Sequence, residues 1–226
     1  MTTTTIRLVG GGGHDCADGE GCLFEWYNYL TRQARTDDCP PGVSTILWRF
    51  GMNLNDVLPD DKRQQLARFL PNGADRLAGT AADGRDETRG YMALDWLVRT
   101  YAPAFLDLGG LTAEAAALRD LRRIVDLEAA QSAGPVVRDA RDKAAAAGSA
   151  AGSAAWDAAG DAAGDAARDA ARVAAGAAAR AAARDAAWAA AGDAAGAVLA
   201  PAVAVLQESA IGLYDLMVTG AWPDAD

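Results

Sequence analysis

One histidine and three cysteines stand near the start of the chain: His14, Cys16 and Cys22 in HDCADGEGC, then Cys39. Three thiols and an imidazole are the ligand types of a Cys3His structural zinc site, where thiolate sulfur and neutral ring nitrogen complete a tetrahedron. The gaps between them are 1, 5 and 16 residues, and the paired CxxC of a zinc ribbon is absent. Unliganded thiols are the competing reading, and one disulfide is a third that a reducing cytosol disfavours. A catalytic Cys–His pair needs a lowered thiol pKa on an ordered scaffold, and the glycine run Gly10–Gly13 is a poor one. Asp15, Asp18 and Glu20 lack the alternating oxygen pattern of a calcium loop. The glycine run lacks the GK[ST] ending of a phosphate loop, and no G-x-S-x-G, H-E-x-x-H or kinase-type set occurs. The chain therefore reads as non-enzymatic, with no catalytic residue to name.

The chain has 226 residues and a formal net charge of −10. Residues 135–196 are nearly neutral, and the acidic excess lies in the flanks. No basic patch stands out, which argues against a surface that grips phosphate backbones. The charge admits an acidic inhibitor or nucleic-acid mimic, although solubility is its simpler use. The start, Met-Thr-Thr-Thr-Thr, has neither the basic nor the apolar region of a secretory signal. Asp and Arg interrupt the alanine run, and each is costly at the centre of a bilayer. A soluble, cytoplasmic protein without a membrane span is the expectation.

Those residues must be positioned by helices. Leu23, Tyr27, Leu30 and Ala34 mark one face of a helix over 22–36, stopped by Cys39-Pro-Pro-Gly42. Ser44 caps a second helix with Ile46, Leu47, Phe50 and Leu54 inward. Asp60 and Asp61 open a third, carrying Leu66, Phe69 and Leu70. Residues 72–87 read as a surface loop. A strong helix then begins at Asp86 or Thr88, with Leu94, Leu97, Val98 and Tyr101 buried and Pro103 as its limit. Thr112 starts another, with Leu118, Leu121, Ile124 and Val125 inward, and Gly134-Pro135 is the clearest boundary. Leu199, Val203, Leu206, Ala210, Leu213 and Met217 form a heptad-like seam that needs a partner. Ile6-Arg-Leu-Val9 reads as a short strand or merely extended chain, and no segment reads convincingly as a paired strand. The fold class is mainly α. The divisions are a flexible polar, Gly-rich tail over 1–21, a helical domain over 22–134, an Ala-rich segment over 135–200, and a C-terminal amphipathic helix over 201–226 packing back on the core.

The Ala-rich segment has a four-residue phase, as in WDAAGDAAGDAARDAAR. Four residues advance about 40° beyond a full turn at 3.6 residues per turn, so the stripe circles the helix. Such a segment wraps, supercoils, or breaks at its glycines, giving long or kinked helices. Trp156 and Trp188 are its only aromatics. They read as anchors for a partner, or as plugs for gaps in the chain's own packing.

Gly21-Cys-Leu-Phe-Glu-Trp-Tyr27, Asp38-Cys-Pro-Pro41, Leu54-Asn-Asp-Val-Leu-Pro-Asp-Asp61 and Tyr91-Met-Ala-Leu-Asp-Trp-Leu-Val98, with the Ala/Asp/Arg/Trp tail, resemble a group of alanine-rich proteins from actinobacteria and their phages. That resemblance implies a phage or prophage setting, no established activity, and a matched pair of Cys22 and Cys39. Three functions follow from the sequence. The first is a non-enzymatic helical protein that works by binding a protein partner or itself. The second is a small zinc regulatory protein using His14, Cys16, Cys22 and Cys39. The third is the acidic inhibitor.

Overall fold

A computed structural model describes residues 6–33, 35–71, 75–146 and 193–222. Most of the four-residue repeat, with Trp156 and Trp188, lies outside them. The class is mainly α, with one two-stranded sheet among the described residues.

The segment expected to be a flexible tail is folded from residue 6 onward. Strands β1 (Arg7–Leu8) and β2 (Glu20–Gly21) pair in parallel, Arg7 opposite Glu20 and Leu8 opposite Gly21. Strand β1 falls within residues 6–9, which read as a short strand or extended chain, but its pairing with β2 is not legible in the sequence because side chains stand in for strand neighbours. The Gln64 amide donates to the Leu8 carbonyl at 2.8 Å and accepts from its N–H at 3.0 Å. Buried Asn55 likewise donates to the Val9 carbonyl at 2.9 Å and accepts from the Leu23 N–H at 3.1 Å. Gly21 is required here: a Cβ would lie 2.7 Å from the Cys16 sulfur.

Helix α1 (Leu23–Leu30) begins in a capping box, with Cys22 as the cap and Glu25 closing it. It ends earlier than its apolar period suggested. The Asn28 side chain donates to the Thr36 and Asp38 carbonyls and draws the following chain back, and Arg32 turns at φ 58°. In α2 (Thr45–Val57), Ser44 caps as expected, accepting from the Ile46 and Leu47 N–H groups. A short α3 (Asp60–Arg63) runs into a 3-10 turn over Gln64–Phe69, which buries Leu66 and Phe69.

Helix α4 (Asp86–Trp96) does not stop at Pro103. A π turn over Leu97–Tyr101 joins it to α5 (Ala102–Leu108), and Pro103 falls in the first turn of α5. Proline withholds an N–H and crowds the carbonyl four residues back. The widened turn beside it absorbs that defect without ending the rod. Helix α6 (Thr112–Arg119) packs back on α5 after the Gly109-Gly110 turn. It is shorter than expected: Leu118 and Ile124 are buried, but Val125 is exposed. Helix α7 (Leu127–Ala146) runs straight through Gly134-Pro135, so the expected boundary is no break. Ala129, Ala130, Ala133, Val137, Ala140 and Ala144 form its buried face.

The last described helix, α8 (Asp193–Thr219), starts before Pro201 and carries that proline inside. All six seam residues, Leu199 to Met217, are buried, and the seam's partners are α2 and α4. Tyr214 sits at the centre, stacked 5.8 Å from Phe50 and edge-on 4.7 Å from Phe69. By length and composition, Leu199–Thr219 is apolar enough to cross a membrane. In this fold its seam completes the core that the N-terminal helices begin.

Candidate functional site

The four candidate zinc ligands do not converge. Among the described residues, no group of three or more His, Cys, Asp or Glu side chains is placed to hold a metal ion. Each has another task. The His14 ring meets Glu25 at 3.1 Å. Cys16 is buried beneath Gly21. Cys22 caps α1, its sulfur accepting the Glu25 N–H at 3.4 Å. The Cys39 thiol donates to the Val43 carbonyl at 3.5 Å. All three cysteines are free. Burial, with Glu25 adding, pushes the Cys16 thiol up to about 11, and burial pushes Cys22 up to about 12. Neither is a thiolate at neutral pH, so neither is an activated nucleophile.

Sequence reasoning overlooked the residue that organises this region, Glu25. Its carboxylate accepts from the backbone N–H groups of Gly13 (2.6 Å), His14 (2.9 Å) and Cys22 (2.7 Å). A glycine run becomes ordered because its donors find one buried anion. Burial alone would raise the Glu25 carboxyl, but these bonds and the His14 ring outweigh it and hold it low. A depressed carboxyl stabilises the fold above its unfolded value, near 4.5, and loses that contribution as pH falls through the folded value. Glu25→Gln should therefore destabilise the protein at pH 7 by about 1–3 kcal/mol. The variant should also lose less stability than the parent on acidification below that value. Urea melts at pH 7 and at lower pH measure both.

A groove offers the better candidate site. One wall is the continuous rod of α4, the π turn and α5; the other is α8. Two cavities meet in it, sharing Arg99 and Thr100. The inner one, about 410 Å³, is lined by Met92, Trp96, Leu213, Leu216 and Trp222, with Asp95, Arg123 and Ser209 as polar groups. The outer one, about 580 Å³, is lined by Ala104, Leu108, Pro201, Ala202, Val205 and Leu206, with Asp107 and Arg119 beside them.

Its polar groups are held by the fold. Asp95 accepts the Ile124 N–H at 2.8 Å, which ties the chain after α6 to α4. Burial raises the Asp95 carboxyl, opposed by that bond and by Arg99. Arg99 donates to the Arg119 carbonyl at 3.2 Å and lies 3.4 Å from Asp95, while its buried Nε has no hydrogen-bond partner. The Trp96 indole donates to Ser209 at 2.8 Å and so joins the walls. Arg123 lies over the Trp222 ring at 5.5 Å.

Exposure marks the outer end. Among the described residues, the exposed large apolar side chains are Leu108 (40 %), Val125 (36 %) and Val205 (67 %). Leu108 and Val205 both line the outer cavity. Val205 is a large apolar residue outside the seam of α8, a weak signal in the sequence because Ile211 and Val218 share it and are buried. The junction with α5 had no such signal, because it depends on a helix that continues past a proline. Compared with protein-family profiles, characterised proteins and solved structures, the chain has no significant match.

Proposed function

We propose that the chain is a non-enzymatic helical interaction protein, cytoplasmic and in an actinobacterial or phage setting. Its groove between the α4–α5 rod and α8 receives a protein partner or a second copy of the chain. The supporting observation is the pairing of Leu108 and Val205, exposed on opposite walls of one groove. Water contact with apolar side chains is unfavourable, and an apolar groove with a polar rim suits an inserted helix. Arg99, Arg119 and Asp107 supply that rim.

Replacing Leu108 and Val205 together with glutamine tests this reading. Both are exposed, so the fold should tolerate the change within about 0.5 kcal/mol per site. Partner capture from the native host, or self-association measured by light scattering, should weaken roughly tenfold or more with an unchanged melting temperature. Undiminished binding by the double variant would refute the assignment.

A further inference from the structure

Two indole rings line the inner cavity, and neither stacks on the other. Trp96 pairs with the Tyr101 ring at 5.5 Å, and Trp222 lies against the Arg123 guanidinium at 5.5 Å. We infer that this cavity is a binding site for an uncharged, flat aromatic molecule of roughly two or three rings, seated against Trp96, Trp222, Leu213 and Leu216. This goes beyond the partner surface in the outer groove and rests on different residues.

The two rings arrive from different elements. Trp96 is buried on the α4 wall, and its N–H donates to the Ser209 hydroxyl at 2.8 Å. That bond fixes the ring, which then offers the cavity an apolar surface. Trp222 follows α8. Gly220 turns the chain back at φ 61°, its N–H shared between the Leu216 and Met217 carbonyls at 2.9 and 3.1 Å. A Cβ at Gly220 would run into the Arg85 side chain, so this turn requires glycine. The indole thereby reaches the space that Leu213 and Leu216 also line. A volume of about 410 Å³ falls within the range of small-molecule pockets. Gly212 leaves the mouth open: it is exposed, and a Cβ there meets nothing within 4 Å. Aromatic walls favour a flat ring over an aliphatic body of equal size, because edge-on and offset ring contacts add to burial.

Charge decides against an ion. Arg99 lies 3.4 Å from Asp95 and donates to the Arg119 carbonyl at 3.2 Å. Arg123 lies over the Trp222 ring, and its charge also favours the ionised form of Asp95. Asp95 accepts the Ile124 N–H at 2.8 Å. Each charged group in the lining is thus already engaged within the fold. A charged ligand would have to break one of those contacts or lie buried without a partner, and both are unfavourable. An uncharged ring leaves them intact.

Two fluorescent probes that differ by one charged group test the inference. N-phenyl-1-naphthylamine is neutral, and 8-anilino-1-naphthalenesulfonate carries the same rings with a sulfonate added. The neutral probe should bind saturably at one site and brighten there. The sulfonate should bind roughly tenfold or more weakly, because its charge finds no free partner. Trp222→Leu keeps an apolar side chain but removes one aromatic wall, and should weaken the neutral probe roughly three- to tenfold. Gly212→Leu guards against a folding artefact. Leucine favours helix over glycine, so the variant should fold, fill the mouth and exclude the probe. The Leu108 and Val205 double variant should keep probe binding, which separates this site from the partner surface. Sulfonate binding as tight as that of the neutral probe overturns the inference. So does wild-type affinity in Trp222→Leu or Gly212→Leu, loss of probe binding in the Leu108 and Val205 double variant, or no saturable binding of the neutral probe.

Discussion

Arg89→Met should destabilise the protein by about 3–5 kcal/mol, the scale for removing one partner of a buried ion pair. In a domain of this size that lowers the melting temperature by roughly 10 °C. Arg89 is 0 % exposed and joins three parts of the fold. Its guanidinium donates to Asp83 at 2.5 and 2.9 Å, to Asp86 at 3.0 Å, to the Thr80 carbonyl at 3.1 Å, and to the Met217 carbonyl at 2.9 Å. Methionine fills comparable space but leaves those acceptors unsatisfied. Lysine should not rescue, because one ammonium cannot reproduce the fork. The Arg89 hydrogen bond is also the main cause holding the Asp83 carboxyl below its ordinary value of 3.8. That stabilisation is present above 3.8 and lost as pH falls through the folded value, and the variant should lack it. Denaturant melts of both proteins at neutral and acid pH measure the two effects. Because Arg89 grips the end of α8, its loss should also loosen one wall of the groove.

The second large effect lies where α2 crosses α8. A Cβ at Gly51 would stand 2.6 Å from the Tyr214 hydroxyl and 2.9 Å from the Phe24 ring. Gly51→Ala should cost about 1–3 kcal/mol by overpacking, despite the better helix propensity of alanine. Tyr214 is fully buried, and its hydroxyl has no hydrogen-bond partner. Removing an unsatisfied buried hydroxyl is nearly neutral or stabilising, so Tyr214→Phe should not weaken the fold. The two changes should couple. In the double variant the hydroxyl clash is gone, while the Phe24 contact and the 3.0 Å approach to Cζ of the ring at position 214 remain, so the pair should cost less than the sum of the singles. A double-mutant cycle by urea denaturation reads the coupling. Simple additivity would show that α2 and α8 separate to admit the methyl.

Apolar period made the helices legible. The seam on α8 and the stripes on α2 and α4 follow from 3.6-residue spacing, and the structure buries them. Other features depend on single polar side chains, which leave no period. Gln64 and Asn55 convert a glycine-rich segment into a parallel strand pair by acting as backbone partners. Glu25 orders the glycine run with one carboxylate. Asn28 ends α1 early by capturing two carbonyls. Proline misled twice in the same direction: Pro103 and Pro135 looked like ends, yet one follows a π turn and the other lies within α7. The cysteines and histidine suggested one ligand set from composition. Three-dimensional placement assigns them separately to a loop, a core, a helix cap and a turn. The groove was hardest to see, because it lies between α5 and α8, almost 100 positions apart, and exists only once α4 continues through its proline.

The outer groove is the proposed partner surface. A photo-cross-linking amino acid at position 205, compared with one at exposed Ala81 outside the groove, tests it most directly in native cells. A discrete covalent adduct is expected from position 205 and none from position 81; an adduct of twice 23.3 kDa would identify a second copy of the chain. No adduct at 205, or the same adducts from both positions, would contradict it.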